Sequence, residues 1–335
     1  MSGQCQSGTH VAWPAPPEFG GIGMRKAMRV ATGDSQAALL RARAVVSALE
    51  RTGPAVEFHL LTVRARRPVG SGRADPAQPD GREAAAELAG ALLNDEVDMA
   101  ILGACRASPL PVRGLTLAAV PRRADPRDVF ISRGWKTLDT LPAGSRVGAS
   151  SSLRCSQVLR MRPDATPVPV RGPADSHLRR LARGDDGLAA IVVEAARLAQ
   201  KGLLGHAAEA LPPERYPPAW GQGTVMVLAR AEDRAARETV GGIDDAATRA
   251  AWEAEAGLAE ALGAAPDSPV GAFARARADG SLHLTVAVYS PDGAEEVRGE
   301  ASGAARSARD IGARLADRLL ARGAMELMAQ TAVPA

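Results

Sequence analysis

The 335-residue sequence predicts an α/β protein with three domains. Short apolar runs alternate with segments of helical periodicity, which is typical of α/β domains with largely parallel sheets. The chain is also longer than a single hydrophobic core usually covers. After residue 243 the alternation changes to a helix followed by three strands. We therefore expect two α/β domains and a small C-terminal α+β domain with a three-stranded sheet.

The domain limits follow from these changes of pattern. The first 27 residues lack the basic start and apolar core of a secretory signal, so residues 1–27 are expected to form a flexible extension. Met24 or Met28 could equally be the start of the chain. We expect domain 1 at residues 28–122 and 218–242, domain 2 at 123–217 and domain 3 at 243–335. The glycine-rich segment Tyr216–Arg230 would return the chain to domain 1.

Domain 1 is expected to begin with the apolar strand Met28–Thr32. Ser35 is then placed to cap a helix, because an apolar stripe follows it and ends at Gly53. Val56–Val63 predicts the next strand. The remaining elements are a loop at Arg64–Gly81, a helix at Glu83–Leu93 and a strand at Met99–Leu102.

Domains 2 and 3 continue the alternation. The predicted strands of domain 2 are Asp128–Ser132, Arg146–Gly148, Thr166–Val170 and Leu188–Val193, with helices between them. In domain 3 a helix is expected from Asp245 to Leu262. Its strands are separated by turns at Ala278–Gly280 and Pro291–Gly293. A final helical stretch is predicted at Ser307–Met328.

Composition excludes several classes of function. No run of eighteen apolar residues occurs, so we expect no membrane partner. The cysteines Cys5, Cys105 and Cys155 lack the spacing of a metal site or a disulfide framework, and the five histidines are scattered, so we expect no metal and a cytoplasmic location. The net charge is only +3 and aromatic residues make up 3%, which argues against a nucleic-acid partner.

Several dispersed motifs occur in an order that matches one known family. They are ATGDSQAALLRA at Ala31–Ala42, DPRDVF at Asp125–Phe130, LPAG at Leu141–Gly144, VRG at Val170–Gly172 and GQG at Gly221–Gly223. The segment from Ala124 to Asp164 is the most specific. From about Met28 to the C-terminus, the sequence resembles the hydroxymethylbilane synthase family, also called porphobilinogen deaminase.

This resemblance implies two domains like those of type II periplasmic binding proteins, which flank a cleft, and a small third domain. It also implies a role in tetrapyrrole biosynthesis. Family members deaminate porphobilinogen and join four pyrroles, starting from a dipyrromethane cofactor that is thioether-linked to a cysteine of the third domain. An aspartate in the cleft handles protons, and basic side chains bind the acetate and propionate groups.

The sequence departs from the family at both chemical positions. Ungapped counting places Cys105 at the family's lysine and Arg106 at its catalytic aspartate. A guanidinium stays protonated and cannot accept the proton that a carboxylate would take. Pro266 stands where the cofactor-bearing cysteine is expected, and proline offers no nucleophile. We therefore expect no dipyrromethane and no other cofactor.

The resemblance leaves a reduced set of substrate-binding candidates: Ser35, Ser150, Ser151, Arg154, Arg171 and His177. Hydroxyl groups near a helix N-terminus, together with two arginines, form a plausible carboxylate site. Each candidate also has a simpler interpretation. Ser150 and Ser151 are suitable helix caps, and Arg171 could simply end a strand.

Cys105 and Arg106 have alternative interpretations as well. Beside an arginine, Cys105 could be a nucleophile with a lowered pKa, although free cysteine is commonly a small buried hydrophobe. Arg106 could bind an anion or pair with an acid such as Asp98.

Our leading hypothesis is a diverged family member, expected to be a monomer, that acts on or binds a small anionic, pyrrole-like molecule. The alternative is a non-catalytic cleft-closing small-molecule-binding protein or a regulatory pseudoenzyme. A working deaminase with relocated residues is a third possibility, and it would need two replacements at once.

Overall fold

The computed structural model describes residues 27–52, 56–64, 82–104 and 112–330. Residues 1–26, nearly all of the predicted loop Arg64–Gly81, and Cys105 and Arg106 lie outside the described residues. The described chain forms three sheets, which we call units 1, 2 and 3.

Unit 1 is a five-stranded mixed sheet with the order β2-β1-β3-β10-β4. Strands β1 to β3 are parallel, and β10 runs antiparallel to both of its neighbours. Its elements are β1 (Ala27–Gly33), α1 (Gln36–Thr52), β2 (Glu57–Val63), α2 (Arg82–Leu93), β3 (Met99–Gly103), β4 (Leu115–Ala119), β10 (Val225–Arg230) and α6 (Arg234–Gly241).

The first helix shows why these residues form unit 1. Ala38, Ala42, Val45 and Leu49 are buried and recur every three to four residues, so one face of α1 packs on the sheet. Strand β1 lies inside the sheet, between β2 and β3, and most of its residues are buried. Strand β10 reaches unit 1 only after the chain has completed unit 2.

Unit 2 repeats this architecture with the strand order β7-β6-β8-β5-β9. Strand β6 is parallel to β7 and β8, whereas β5 is antiparallel to β8. Its elements are β5 (Asp128–Ser132), β6 (Arg146–Ala149), α3 (Ser152–Met161), β7 (Thr166–Pro169), α4 (Ala174–Arg183), β8 (Leu188–Glu194), α5 (Ala195–Ala199) and β9 (Glu209–Ala210).

Unit 3 is a three-stranded antiparallel sheet with helices packed against it. Its elements are α7 (Ala246–Leu262), β11 (Val270–Ala276), β12 (Ser281–Tyr289), β13 (Glu296–Ala304), α8 (Ala308–Leu320) and α9 (Ala324–Ala329). The predicted final helix is divided in two, because Gly323 adopts a left-handed φ of 91° between α8 and α9.

The fold class is the predicted one: two α/β units, each with a five-stranded mixed sheet, and a small α+β unit with a three-stranded sheet. No described helix combines the length and the apolar composition that a membrane span requires.

Candidate functional site

A cleft lies where the carboxyl ends of strands from units 1 and 2 face each other. On the unit 1 side it is lined by Thr32 and Gly33 at the end of β1 and by Gly103 at the end of β3. On the unit 2 side it is lined by Ser151, which follows β6, and by Glu194, the last residue of β8. Ligands of open α/β sheets bind at such carboxyl ends. Pro266 and Asp267 of unit 3 complete the lining.

Arg154 is the most extensively bonded side chain of this cleft. It lies in the first turn of α3, where the Ser151 hydroxyl accepts a hydrogen bond from the Arg154 backbone N–H at 3.3 Å. Its guanidinium donates to both oxygens of Asp128, from Nε at 3.1 Å and from Nη2 at 2.9 Å. Nη1 donates to the Ser150 hydroxyl at 2.8 Å, and Nη2 donates to the Gln222 side-chain carbonyl at 2.9 Å. Most of its donors are therefore used within the protein.

Gln222 joins this arginine to the segment that leads back to unit 1. Its amide nitrogen donates to Asp128 at 2.9 Å and to the Pro126 carbonyl at 2.8 Å. The flanking glycines, Gly221 and Gly223, have φ values of 72° and 77°, which favour glycine. A Cβ on Gly223 would lie 2.8 Å from the Ala124 carbonyl oxygen, so this close approach also requires glycine.

A second buried ion pair connects unit 3 to the segment that contains Gly221 and Gln222. Glu255 of α7 is fully buried and accepts hydrogen bonds from Arg123 Nη1 at 2.6 Å and Nη2 at 3.1 Å. It also accepts from the backbone N–H groups of Gly221 at 2.6 Å and Ala274 at 2.8 Å. We call Arg123, Asp128, Arg154, Gln222 and Glu255 the junction cluster. Its members lie in units 2 and 3 and in the two segments that link unit 1 to unit 2.

Three cleft-lining charges were missed by the sequence analysis: Arg41, Glu194 and Arg197. Glu194 lies 2.9 Å from Arg197 Nε and 3.3 Å from Arg154 Nη2. Arg41 lies on α1, one turn from the buried residue Ala38, and its guanidinium packs against Gly103. Two sequence features could have predicted these residues: Glu194 ends a buried strand, and Arg41 lies beside the buried stripe of helix α1.

The predicted substrate-binding residues are divided between the cleft and its surroundings. Ser151 and Arg154 line the cleft. Ser35 accepts from the Ala38 backbone N–H at 3.1 Å, which fits a cap of α1, and Ser150 binds Arg154. Arg171 is exposed after β7. Ser35, Ser150 and Arg171 are not among the residues that line the cleft in the described part of the chain.

His177 is buried in α4, with 3% of its surface exposed, and it is not among the described residues that line the cleft. Within the described structure, neither ring nitrogen has a hydrogen-bond partner. Burial lowers the pKa of this histidine, and the positive charges of Arg197, Arg180 and Arg154 lower it further. The Arg171 backbone is near enough to oppose this decrease, but not in hydrogen-bonding geometry. These effects favour the neutral form of the imidazole at pH 7.

Cys155 and Asp98 bear on two other interpretations from the sequence. Burial raises the pKa of the Cys155 thiol, which keeps it protonated, and it does not line the cleft. Asp98, considered as a partner for Arg106, accepts hydrogen bonds from the Arg29 backbone N–H at 2.8 Å and from Arg29 Nη2 at 2.9 Å. No group of three potential metal ligands occurs among the described residues.

The turn after α7 decides whether a thioether-linked cofactor fits. Gly263 ends the helix in the left-handed conformation, and the Ser268 N–H then donates to the Ala265 carbonyl at 2.9 Å. Pro266 and Asp267 therefore occupy the centre of a tight turn and line the cleft. The described cleft lining contains no cysteine. The residues present therefore do not fit a cofactor that is held by a thioether at this turn.

Two family models match the chain. "Porphobilinogen deaminase, dipyromethane cofactor binding domain" matches residues 28–238, and "Porphobilinogen deaminase, C-terminal domain" matches residues 250–321.

Curated relatives agree with these matches. Porphobilinogen deaminase of Thermus thermophilus is 37% identical over 305 residues, which cover 90% of this chain and 98% of the relative. That of Desulforudis audaxviator is 38% identical over 314 residues, which cover 92% and 98%. Among solved structures, a regulatory domain of OxyR2 from Vibrio vulnificus aligns with a TM-score of 0.36 at 15% identity, covering 68% of this chain and 98% of that chain.

Proposed function

Because this chain belongs to the porphobilinogen deaminase family, we propose that it keeps the family's cleft but works without dipyrromethane. In this proposal it acts on or binds a small anionic, pyrrole-like molecule rather than building a chain of four pyrroles. The observation that supports this most directly is Pro266 in the lining of the cleft. A proline side chain cannot form or hold a thioether.

The balance of charge in the cleft also supports a small ligand. The described lining contains three basic side chains, Arg41, Arg154 and Arg197, and two acidic ones, Glu194 and Asp267. Asp128, directly behind Arg154, adds a third acid. A growing polypyrrole carries two carboxylates on every ring, and it needs a clear excess of basic partners to offset their desolvation. Such an excess is absent from the described lining.

The sequence adds a second argument against the usual chemistry. Arg106 stands where the family has its proton-handling aspartate, and an arginine remains charged at physiological pH. It would also disfavour any cationic intermediate nearby. Substrate contact by Ser151 and Arg154 is part of this proposal, because both line the cleft.

The alternative function is a cleft-closing small-molecule-binding protein or regulatory pseudoenzyme. A side-chain contact between units 1 and 2 favours this alternative. Lys201, which follows α5 in unit 2, donates to the Gln36 side-chain oxygen at the start of α1 at 2.9 Å and also pairs with Asp175. A side-chain bridge between lobes is suited to a protein whose main event is closure around a ligand.

Mass spectrometry of the intact protein after expression tests the proposal directly. We expect the mass of the unmodified chain, before and after incubation with porphobilinogen. A mass increase of two pyrrole units would show a bound dipyrromethane and contradict the role given to Pro266.

A turnover assay tests whether the protein is a working deaminase. The protein is incubated with porphobilinogen, and uroporphyrin fluorescence is read after acid oxidation. We expect no uroporphyrin, and a turnover that depends on Arg106 would overturn the pseudoenzyme alternative. Porphobilinogen should nevertheless raise the melting temperature, because a ligand that binds only the folded state stabilises it.

A further inference from the structure

Among the described residues that line the cleft, one carboxylate has no ion-pair partner. Asp267 lies in the tight turn Ala265–Ser268, which follows directly on the end of α7. It lines the cleft and makes no hydrogen bond or ion pair with any described residue. A solvated carboxylate on a turn is common on surfaces, so this residue alone would not define a site.

The other acid of the lining differs from Asp267 in this respect. Glu194 is 18% exposed and lies against both Arg154 and Arg197. Its charge is therefore largely neutralised within the cleft wall, as is that of Arg154 by Asp128. Asp267 is the acid left to attract a cationic group of a ligand.

A second and independent feature points to a ligand at the same place. Thr224 lines the cleft with only 3% of its surface exposed, and its hydroxyl has no hydrogen-bond partner within the described structure. Its backbone is firmly held, since the carbonyl accepts from the Ala104 N–H at 3.0 Å and the N–H donates to the Gly221 carbonyl at 3.0 Å. A buried hydroxyl that lacks a partner destabilises the fold, and a hydrogen bond to a ligand would remove that destabilisation.

On the unit 1 side of the cleft, the basic side chain among the described lining residues is Arg41. It lines the cleft from α1, and its guanidinium packs on the backbone at Gly103. The cleft is thus lined by an arginine from unit 1, an aspartate from unit 3 and a threonine in the segment between units. Arginine suits carboxylate ligands, whereas aspartate suits ammonium groups.

We propose that this cleft selects a small zwitterion, with its amine bound by Asp267, its carboxylate on the side of Arg41 and a polar group hydrogen-bonded to Thr224. The inference rests on the proposed function, because it specifies the charge pattern of the small ligand that the cleft accepts. It excludes ligands with several carboxylates and no amine.

Three probes with the same five-carbon chain test the charge pattern. They are 5-aminopentanoate, glutarate and 1,5-diaminopentane, and binding to the full-length protein is measured by calorimetry and melting temperature at pH 7. We expect 5-aminopentanoate to bind at least about tenfold more tightly than either symmetric probe, as one additional charge-assisted contact implies. Equal or tighter binding of glutarate or of the diamine would overturn the proposal, as would a flat response to all three.

Variants then assign the contacts. Asp267→Asn should weaken 5-aminopentanoate about tenfold while leaving glutarate unchanged or tighter, because only the amine loses its partner. Thr224→Val should weaken the zwitterion less, and Arg41→Met should weaken both carboxylate probes. Asp310→Asn is the matched control, since it removes the same charge from an exposed position on α8 of unit 3. If Asp267→Asn behaves like Asp310→Asn, the assignment is wrong.

Porphobilinogen itself distinguishes this inference from the proposed function. It carries an aminomethyl group and two carboxylates. If it binds equally to the wild type and to Asp267→Asn, the proposed function survives and the zwitterion inference fails. If 5-aminopentanoate shows the expected preference while porphobilinogen has no effect, the inference stands and the pyrrole-like ligand is wrong.

Discussion

At the junction of the three units, Glu255 is fully buried and accepts four hydrogen bonds, two of them from Arg123. In the adjoining cleft, Asp267 contacts no described polar group and the Thr224 hydroxyl has no partner in the described chain. Most polar groups of the junction cluster are satisfied within the protein, whereas the described cleft lining includes Asp267 and Thr224, whose side chains have no hydrogen-bond partner among the described residues. Stability should therefore depend on the first region and ligand recognition on the second.

The largest effect is expected at Glu255. In Glu255→Ala, Arg123 remains buried without its counter-charge, and two backbone N–H groups lose their acceptor. We expect a loss of about 3–5 kcal/mol in the free energy of unfolding, measured by urea denaturation. Glu260→Ala, on the same helix, is the control, because its pair with Arg309 is about half exposed and should contribute at most about 1 kcal/mol. Equal losses in the two variants would mean that the junction does not hold the units together.

Two turn glycines of unit 3 give the next comparison. Gly280 and Gly293 have similar left-handed φ values of 77° and 70°. A Cβ on Gly293 would lie 2.6 Å from the Arg160 nitrogen and the Ser156 carbonyl oxygen of α3, whereas one on Gly280 would meet nothing within 4 Å. Gly293→Ala should therefore lose about 1–3 kcal/mol more than Gly280→Ala in the same denaturation experiment. Equal losses would show that unit 3 does not rest closely on unit 2.

These two glycines also show how far the sequence predicted the fold. Both turns were expected from ADG and PDG, because turn chemistry is local. The turn at Gly280 is open, whereas the turn at Gly293 packs against α3. This difference depends on how separate units pack together, which cannot be predicted from a local sequence pattern. The same limit explains why the apolar strand β4 (Leu115–Ala119), which directly follows a proline-rich segment, was not predicted.

The candidate site was predictable only in part, for the same reason. The resemblance predicted Arg154 as a substrate-binding residue and Pro266 at the position of the cofactor-bearing cysteine, because both lie inside recognisable segments. Arg41, Glu194 and Thr224 join the cleft only when three units meet, and each is unremarkable within its own segment. Whether Arg154 faces a ligand or its neighbours Asp128 and Gln222 could not be read from spacing at all.

His177 is a buried polar side chain that belongs to neither the junction cluster nor the described cleft lining, and its ring nitrogens have no hydrogen-bond partner in the described structure. His177→Leu should raise the free energy of unfolding by about 1 kcal/mol at pH 7, because it removes a ring whose nitrogens lack partners in the described structure. The folded-state pKa of His177 is below its unfolded value near 6.5, so the unfolded state binds the extra proton as the pH falls below about 6.5. The wild type should then lose stability in that range.

Urea denaturation between about pH 7.5 and pH 5 measures this slope. His177→Leu should show a shallower decline than the wild type, with the largest difference at the acid end. Parallel curves would mean that the histidine is not held neutral in the folded state, and that the ring is better solvated than its burial implies.

The smallest changes in the free energy of unfolding are expected for two threonines. One contacts the junction cluster and the other lines the cleft, and the two changes should differ in sign. The Thr248 hydroxyl accepts from the Arg123 backbone N–H at 3.0 Å, so Thr248→Val leaves a donor unpaired and should lose about 1 kcal/mol. Thr224→Val removes a buried hydroxyl without a described partner and should leave stability unchanged or slightly higher. If Thr224→Val is instead destabilising and its binding of 5-aminopentanoate is unchanged, the Thr224 hydroxyl serves the fold. If Thr224→Val instead leaves the free energy of unfolding unchanged or higher and weakens the binding of 5-aminopentanoate, the Thr224 hydroxyl serves ligand recognition.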